Sequence, residues 1–322
     1  MQFRLVPDVT RIRFMRLRHV AMLCSLALAI LSIGAVVYPG LNFGIDFKGG
    51  ILVEVRTPGP ADLAQMRTRL NELGLGDVAL QEFGEPTDVL IRIARQTGGE
   101  EEQQAAVRVV QAALDELVDG EVSYRRTEFV GPKVSEELLR DGVLAIVLSL
   151  VAVLIYIWFR FEWQYGVGAI VALIHDVVLT IGMFAVIGFE VNLTTVAAVL
   201  TIVGYSLNDT VVIFDRVREN LRRYKSMPIA ELLDVSVNET LARTLMTSLT
   251  TLLALLSLYF FGGEVIRGFT FAMIWGVIVG TYSTIFIATP ILLQLNLRAI
   301  GAKAPGAAAE EIEVGGSPSP SP

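Results

Sequence analysis

Long apolar runs dominate the pattern of hydrophobic and polar positions along the chain. Residues 143–159 contain no charged side chain over 17 positions, and residues 244–263 contain none over 20. A helix needs about 20 mostly apolar residues to cross the roughly 30 Å hydrocarbon core of a bilayer. We therefore predict a polytopic α-helical membrane protein with six transmembrane helices, at residues 20–41, 142–161, 167–189, 191–214, 243–263 and 268–295.

The segment 42–141, between the first two runs, has a different pattern. Apolar residues alternate with polar ones in some stretches, as in a strand, and recur at helical spacing in others. These patterns predict a strand at 51–56, a helix at 61–73, strands at 78–83 and 89–94, a helix at 100–117 and a strand at 122–130. The order β-α-β-β-α-β is typical of a ferredoxin-like α+β domain. That fold hosts many functions and names none of them.

Charge is distributed unevenly and predicts the orientation of the chain. Basic residues lie before the first run, in the segment 215–242 and after the last run, which places both termini in the cytoplasm. The segment 41–141 holds 11 Lys and Arg against 19 Asp and Glu. This acidic balance argues against nucleic-acid binding. The topology therefore predicts that the domain lies outside the membrane, which for a chain in the inner membrane of a bacterium means in the periplasm.

Both ends of the chain have their own predictions. Residues 1–19 should be a cytoplasmic segment, followed by an anchor that is not cleaved, because the apolar run continues to Val37 and ends at Tyr38-Pro39-Gly40 rather than at a small-x-small cleavage site. Residues 298–322 are rich in Ala, Gly, Pro, Ser and Glu, a composition typical of a disordered cytoplasmic tail.

Asp209 is the first candidate for a functional residue, because an acid at membrane depth usually marks an ion pathway. Thr201, Tyr205 and Ser206 share its helix face, and a carboxylate among hydroxyls could bind and release a proton. The alternative is a structural acid that is hydrogen-bonded to a neighbouring span.

Arg243, at the start of the fifth predicted span, could simply extend towards the lipid headgroups. However, Thr244, Thr247 and Thr251 recur along the same helix with other hydroxyls, and such a stripe should face protein or water. Arg243 is therefore a candidate partner that holds Asp209 ionised until a conformational change separates them.

His175 and Asp176 lie in the middle of the third predicted span. Adjacent residues on a helix point about 100° apart, so these two need not form a pair. We expect a structural polar contact for His175, and leave Asp176 open between structure and function. His19 is the only other histidine and Cys24 the only cysteine, so no metal site is predicted.

Small residues recur every four positions in the last span, which favours close approach of a neighbouring helix. They are Ala272, Gly276, Gly280, Thr284 and Ala288. No G-x-x-x-x-G-K-[ST] phosphate loop and no nucleophile–base set occurs in the sequence, so we predict no enzyme activity and no cofactor.

Three segments carry a resemblance to a known family. Asn42–Gly50 (NFGIDFKGG), Gly204–Asn220 (with GYSLNDTVV) and Ala242–Ser248 (ARTLMTS) resemble the signature segments of the SecF family of bacterial protein-export subunits. The resemblance runs in order and spacing from about residue 10 to 297. In the first segment, the family motif residues are Gly44, Asp46, Gly49 and Gly50.

The resemblance implies a fold related to resistance–nodulation–division transporters, with a second chain, SecD, supplying the other half. It further implies work with YajC beside the SecYEG channel, and indirectly with SecA, on unfolded preproteins, driven by the proton motive force. Asp209 and Arg243 match the family positions linked to proton transfer, and Tyr205, Ser206, Asn208, Thr247 and Asp176 are supporting candidates. The glycines at 49–50 and 131 are predicted hinges of the domain.

Two other functions remain open from the sequence. The chain could be an assembly subunit that anchors SecD and conducts no ions, or an exporter of small molecules. An anchor should tolerate Asp209→Asn, and an exporter should not need SecD. A single domain of about 90 residues offers little room for a drug-sized cavity.

Overall fold

The computed structural model describes residues 10–76, 78–96, 99–295 and 297. The predicted tail at 298–322 and the first nine residues of the predicted segment 1–19 lie outside the described residues. Within the described part, six helices are long and apolar enough to cross a membrane.

These helices account for most of the chain. They are α1 (Arg18–Val37), α5 (Pro132–Arg160), α6 (Trp163–Ile187), α7 (Leu193–Arg223), α8 (Ile229–Phe261) and α9 (Arg267–Ser283), the last continued by a π-helical turn (Thr284–Ala288) and α10 (Thr289–Gln294). Helices α6, α7 and α9 are buried along much of their length, whereas α1, α5 and α8 expose apolar side chains to the surroundings. The number of helices agrees with the six predicted apolar spans.

The helices extend beyond the predicted spans. The predicted connection 215–242 is mostly helical, since α7 runs to Arg223 and α8 begins at Ile229. The many polar residues of this segment led to the prediction of a connection rather than of helices. However, Val217 and Val237 are fully buried and belong to the same apolar core. Helix α5 begins ten residues earlier than predicted, at Pro132, because proline is well suited to the first position of a helix.

The segment between α1 and α5 contains a four-stranded sheet and two helices. Its elements are β2 (Gly50–Arg56), α3 (Leu63–Asn71), β3 (Val78–Phe83), β4 (Glu85–Ile93), α4 (Glu100–Leu117) and β5 (Ser123–Val130). The strand order is β3-β4-β2-β5, and each neighbouring pair is antiparallel. Strand β4 starts earlier than predicted because Gly84, with φ of 87°, turns the chain directly from β3 into β4.

The core of this domain follows the period of two expected from a strand with one buried face. Ile51, Val53 and Val55 of β2 have no exposed surface, and they pack with Leu70 of α3 and Leu114 of α4. The domain therefore has its own hydrophobic core, separate from the core of the membrane-spanning helices.

A second, two-stranded sheet connects the domain side to the helices. Strand β1 (Asn42–Phe43) pairs in parallel with β6 (Glu190–Val191), which lies in the turn between α6 and α7. A short helix, α2 (Ile45–Lys48), then leads to the glycine pair. Gly49 and Gly50 have φ of 71° and 124°, and a Cβ on Gly50 would lie 2.6 Å from the carbonyl oxygen of Ile93. This pair is tightly packed, whereas a Cβ on Gly131 would meet open space.

Candidate functional site

Asp209 lies on the buried side of α7 and is held by the neighbouring helix. Its side chain is 8% exposed, and its Oδ1 accepts a 2.6 Å hydrogen bond from Thr244 Oγ1 on α8. Its Oδ2 is buried and has no hydrogen-bond partner among the residues that the structure describes. The carboxylate is thus only half satisfied within the described chain, which leaves one oxygen available to a proton or an ion.

Arg243 precedes Thr244 but does not form an ion pair with Asp209. The arginine is exposed, and no Arg243 nitrogen lies within 4.0 Å of an Asp209 oxygen. Its positive charge still acts on the carboxylate from this longer distance. The direct partner of Asp209 is therefore a threonine, while the arginine lies on the outer face of α8.

The other predicted supporting residues separate into different environments. Thr247 donates its hydroxyl to carbonyl oxygens of its own helix, and Asn208 is exposed on α7. Tyr205 is half-buried, and its hydroxyl has no partner among the described residues. Ser206 is buried but donates to Asp176 rather than to Asp209. The structure therefore does not gather these four around the carboxylate of Asp209.

Asp176 is the centre of a second buried polar cluster, between α6, α7 and α9. It has no exposed surface, and its Oδ2 accepts hydrogen bonds from Ser206 Oγ at 2.7 Å and Ser283 Oγ at 2.8 Å. Its Oδ1 lies 3.0 Å from Nδ1 of His175. Both carboxylate oxygens are therefore satisfied.

The contact between His175 and Asp176 adds a detail that the sequence left open. Their helical offset of about 100° suggested that they need not pair, but the imidazole bends towards the adjacent carboxylate. Burial explains the pairing, because a buried ring nitrogen without a partner is costly. The other ring nitrogen, Nε2, is buried and has no partner among the described residues.

Two further pairs of hydroxyl groups join helices of the bundle. Thr210 Oγ1 lies 3.0 Å from Thr284 Oγ1, and Ser248 Oγ lies 2.7 Å from Thr281 Oγ1. Thr284 begins the π-helical turn, a local widening that often occurs at functional sites. Among the described residues, no group of three His, Cys, Asp or Glu side chains could hold a metal ion. The polar groups that contact the two acids are the hydroxyls of Thr244, Ser206 and Ser283 and the imidazole of His175.

The glycines of α9 allow α7 to approach closely enough for these contacts. A Cβ on Gly276 would collide with the side chain of Ile202, and one on Gly280 would lie 3.1 Å from Cβ of Ser206. The close approach of α7 and α9 places Ser206 and Ser283 on the same Asp176 oxygen.

Two of the four motif residues, Gly44 and Asp46, contact the turn between α6 and α7. Asp46 Oδ2 accepts a 2.9 Å hydrogen bond from the backbone N–H of Leu193, the first residue of α7. The Glu190 carboxyl occupies the space where Gly44 would carry a Cβ. Burial raises the pKa of Glu190, and the guanidinium of Arg92 opposes that shift.

Sequence reasoning missed several of these contacts. Thr244 was part of the hydroxyl stripe but was not assigned to Asp209, and Ser283 was not singled out. The ion pair between Arg92 and Glu190 was not predicted either. The spacing of hydroxyls along α8 indicated only that one of several could face Asp209, and the burial of Thr244 in the structure distinguishes it from the others.

Comparisons with known proteins match the parts of the chain that contain Asp209 and the glycine pair. A family model described as protein export membrane protein SecD/SecF, C-terminal, matches residues 109–298, and a model of the SecD/SecF GG motif matches residues 39–57. The protein translocase subunit SecF of Rickettsia felis is 44% identical over 300 residues, which are 93% of this chain and 97% of that protein. The chain belongs to the SecF family.

Longer relatives contain a SecF-like part within a larger chain. The protein translocase subunit SecDF of Brucella abortus is 46% identical over 92% of this chain, which spans 39% of that protein. The crystal structure of SecDF from Thermus thermophilus, a translocon-associated membrane protein, overlays with a TM-score of 0.81 at 36% identity. This overlay covers 90% of this chain and 39% of the SecDF chain. The chain thus spans about two fifths of the SecDF proteins.

The family assignment establishes the general function. Members of the SecF family are protein translocase subunits, and this chain is a multi-pass inner-membrane protein of protein transport in the Sec pathway.

Proposed function

We propose that this chain is one half of an ion-driven machine, and that with SecD it uses the proton motive force to promote late, periplasmic-side steps of preprotein export. The observation that carries the proposal is the half-satisfied carboxylate of Asp209, buried in a membrane-spanning helix beside Thr244. An ionisable side chain at membrane depth destabilises the protein, so its presence in a membrane-spanning helix supports a functional role.

The energy of an ion gradient is sufficient for such work. Moving one charge through 100 mV releases about 2.3 kcal/mol. A nearly complete shift between two conformations requires roughly 5.5 kcal/mol. A few protons per cycle, each bound and released at Asp209, would therefore supply the energy for a domain movement.

The proposed role of SecD explains the polar residues that this chain leaves exposed in its membrane-spanning helices. Thr201 and Asn208 on α7, and Arg243, Thr247 and Thr250 on α8, are all exposed. Polar groups at membrane depth normally face protein or water rather than lipid. In this proposal, SecD covers this surface of α7 and α8, so that Arg243 faces the boundary between the two halves, while Asp209 lies behind it on the buried side of α7.

We assign the domain between α1 and α5 to the ferredoxin-like class and place it in the periplasm, with both termini in the cytoplasm. Its element order and its antiparallel strand order support the class. The basic residues at the opposite side of the helices support the orientation. The domain would then transmit ion movement to a preprotein that emerges from the SecYEG channel, with SecA and YajC as further partners implied by the family.

Ion flux and export by vesicles that contain this chain and SecD test the proposal. We expect Asp209→Asn to abolish both activities while the complex still assembles. A chain that only anchors SecD would export normally with this substitution. Varying the proton and sodium gradients separately identifies the coupling ion. Export of small molecules by vesicles that lack SecD would instead indicate a small-molecule exporter.

A further inference from the structure

The turn between α6 and α7 is attached to the domain side of the molecule by several contacts. In addition to the β1–β6 ladder, Asn42 Nδ2 donates to the carbonyl of Gly188 at 3.1 Å, and the N–H of Gly44 donates to the carbonyl of Val191 at 2.9 Å. The segment that carries these groups leads directly into the domain. The turn is therefore fixed to the start of the domain by backbone as well as side-chain bonds.

Arg92 connects the sheet of the domain to the same turn. It lies on β4, and its Nη2 contacts Glu190 Oε2 at 2.5 Å. Its Nη1 donates to Asn42 Oδ1 at 3.1 Å. The side chains of Arg92 and Glu190 are 15% and 19% exposed, so this pair is largely shielded from water. Shielded pairs are screened less than surface pairs, and loss of one partner leaves a buried charge without compensation.

Asp46 attaches to the helix side of the turn. Its carboxylate accepts from the first N–H of α7, where the helix dipole favours a negative charge. The turn itself joins the helix that carries Asp176 to the helix that carries Asp209. A shift or rotation of α7 that follows proton binding would therefore move the turn and the groups attached to it.

We infer that the contacts of Asp46, Arg92 and Glu190 at this turn form a joint that transmits movement of α6 and α7 to the outer domain. Arg92 and Glu190 are positioning residues in this inference, because they hold the domain and do not touch the ion. The inference rests on the proposed ion-driven function and adds the route by which ion movement reaches the domain.

The test separates ion flux from export in vesicles that contain SecD and the full-length chain. We expect Arg92→Glu or Glu190→Arg alone to reduce export at least tenfold while ion flux stays within about twofold of the unchanged protein. The double variant, which restores the pair with its charges exchanged, should recover export to within about threefold. A contact that only adds stability would not separate the two activities.

A neutral variant covers the case in which a single charge change prevents folding. Arg92→Gln with Glu190→Gln leaves no buried charge uncompensated, so the complex should assemble, with export still reduced at least tenfold. Arg69 and Glu116 form an exposed pair within the domain at 2.7 Å, and exchanging their charges is the matched control. This control should leave both activities unchanged.

Several outcomes would overturn the joint. Normal export by the neutral variant would do so, as would equal loss of flux and export, or failure of the exchanged pair to restore export in an assembled complex. Asp209→Asn, measured in parallel, tests the proposed function itself. If that variant retains flux and export, the ion-driven function fails, whereas failure of the joint alone leaves Asp209→Asn inactive.

Discussion

Within the described part of the membrane-spanning helices, two carboxylates are buried, and their surroundings differ. Asp176 has both oxygens engaged, by two serines from neighbouring helices and by His175. Asp209 has one oxygen engaged, by Thr244, and one without a partner among the described residues. Asp176 also lies in the most buried part of the bundle, whereas Asp209 adjoins the helix that exposes Arg243.

This difference indicates different roles for the two acids. A fully satisfied carboxylate joins three helices, and any change in its protonation must break several hydrogen bonds. A half-satisfied carboxylate can gain or lose a proton with less rearrangement. We therefore expect Asp209 to serve ion movement and Asp176 to serve the packing of α6, α7 and α9.

The largest expected effect is loss of function in Asp209→Asn. Asparagine cannot ionise, so ion flux and export should fall at least about 100-fold, equivalent to roughly 3 kcal/mol. Asp176→Asn is the matched comparison and should retain most of the flux. The measurement is ion flux in vesicles that contain SecD. Equal losses of flux in the two variants would contradict the proposed difference in role between the two acids.

A second prediction concerns stability rather than flux. Asp176→Ala removes the acceptor of three side-chain contacts, and at about 0.6 kcal/mol for each such contact in a membrane protein the cost is about 2 kcal/mol. Asp209→Ala removes one contact and should cost about a third as much. Thermal unfolding in detergent measures both. A larger loss of stability in Asp209→Ala would reverse the assignment.

A third substitution disturbs the Asp176 cluster through packing. Gly280→Ala would place a Cβ 3.1 Å from that of Ser206, so α7 and α9 must move slightly apart. We expect a loss of about 1 kcal/mol from this overpacking, with ion flux largely retained. Gly268→Ala on the same helix is the control, since a Cβ there would meet open space. Equal effects of the two alanines on the melting temperature would contradict the packing role.

The smallest expected effect concerns the direct partner of Asp209. Thr244→Val keeps the shape but removes the hydroxyl, at a cost of about 0.6 kcal/mol, so flux should fall about threefold. Thr244→Ser should restore the rate. Thr270→Val on α9 is the control, because Thr270 is buried like Thr244 and, among the described residues, its hydroxyl bonds only to the backbone carbonyl of Ile266. Unchanged flux in Thr244→Val would show that Asp209 works without this hydrogen bond.

Local patterns were sufficient for much of the fold. Strand β3 and helix α4 have the predicted bounds, because alternation and helical spacing are properties of neighbouring residues. The ends of α7 and α8 were less predictable. Their polar residues looked like a solvated connection, and only the contact between the two helices shows which of them are buried.

The candidate site likewise has a part that the sequence could predict and a part that it could not. Asp209 could be found from the sequence because an acid within an apolar run is conspicuous and costly. Its partner could not, since Thr244 lies 35 residues away and several hydroxyls of α8 were equivalent candidates. The arginine was expected to pair with Asp209, but the rotation of α8 brings the adjacent threonine to the carboxylate instead.

The sequence by itself determined the six apolar spans, the separate domain and the acids within the spans, because hydropathy and periodicity depend on residues close along the chain. It also indicated the family, through three short segments of characteristic sequence. Only the tertiary structure decided which oxygen each hydroxyl contacts, and that Arg92 and Asp46 reach the turn between α6 and α7. Those contacts join residues 98 and 147 positions apart. Their geometry depends on how each helix is rotated and how closely glycines let it approach its neighbour, which no local pattern specifies.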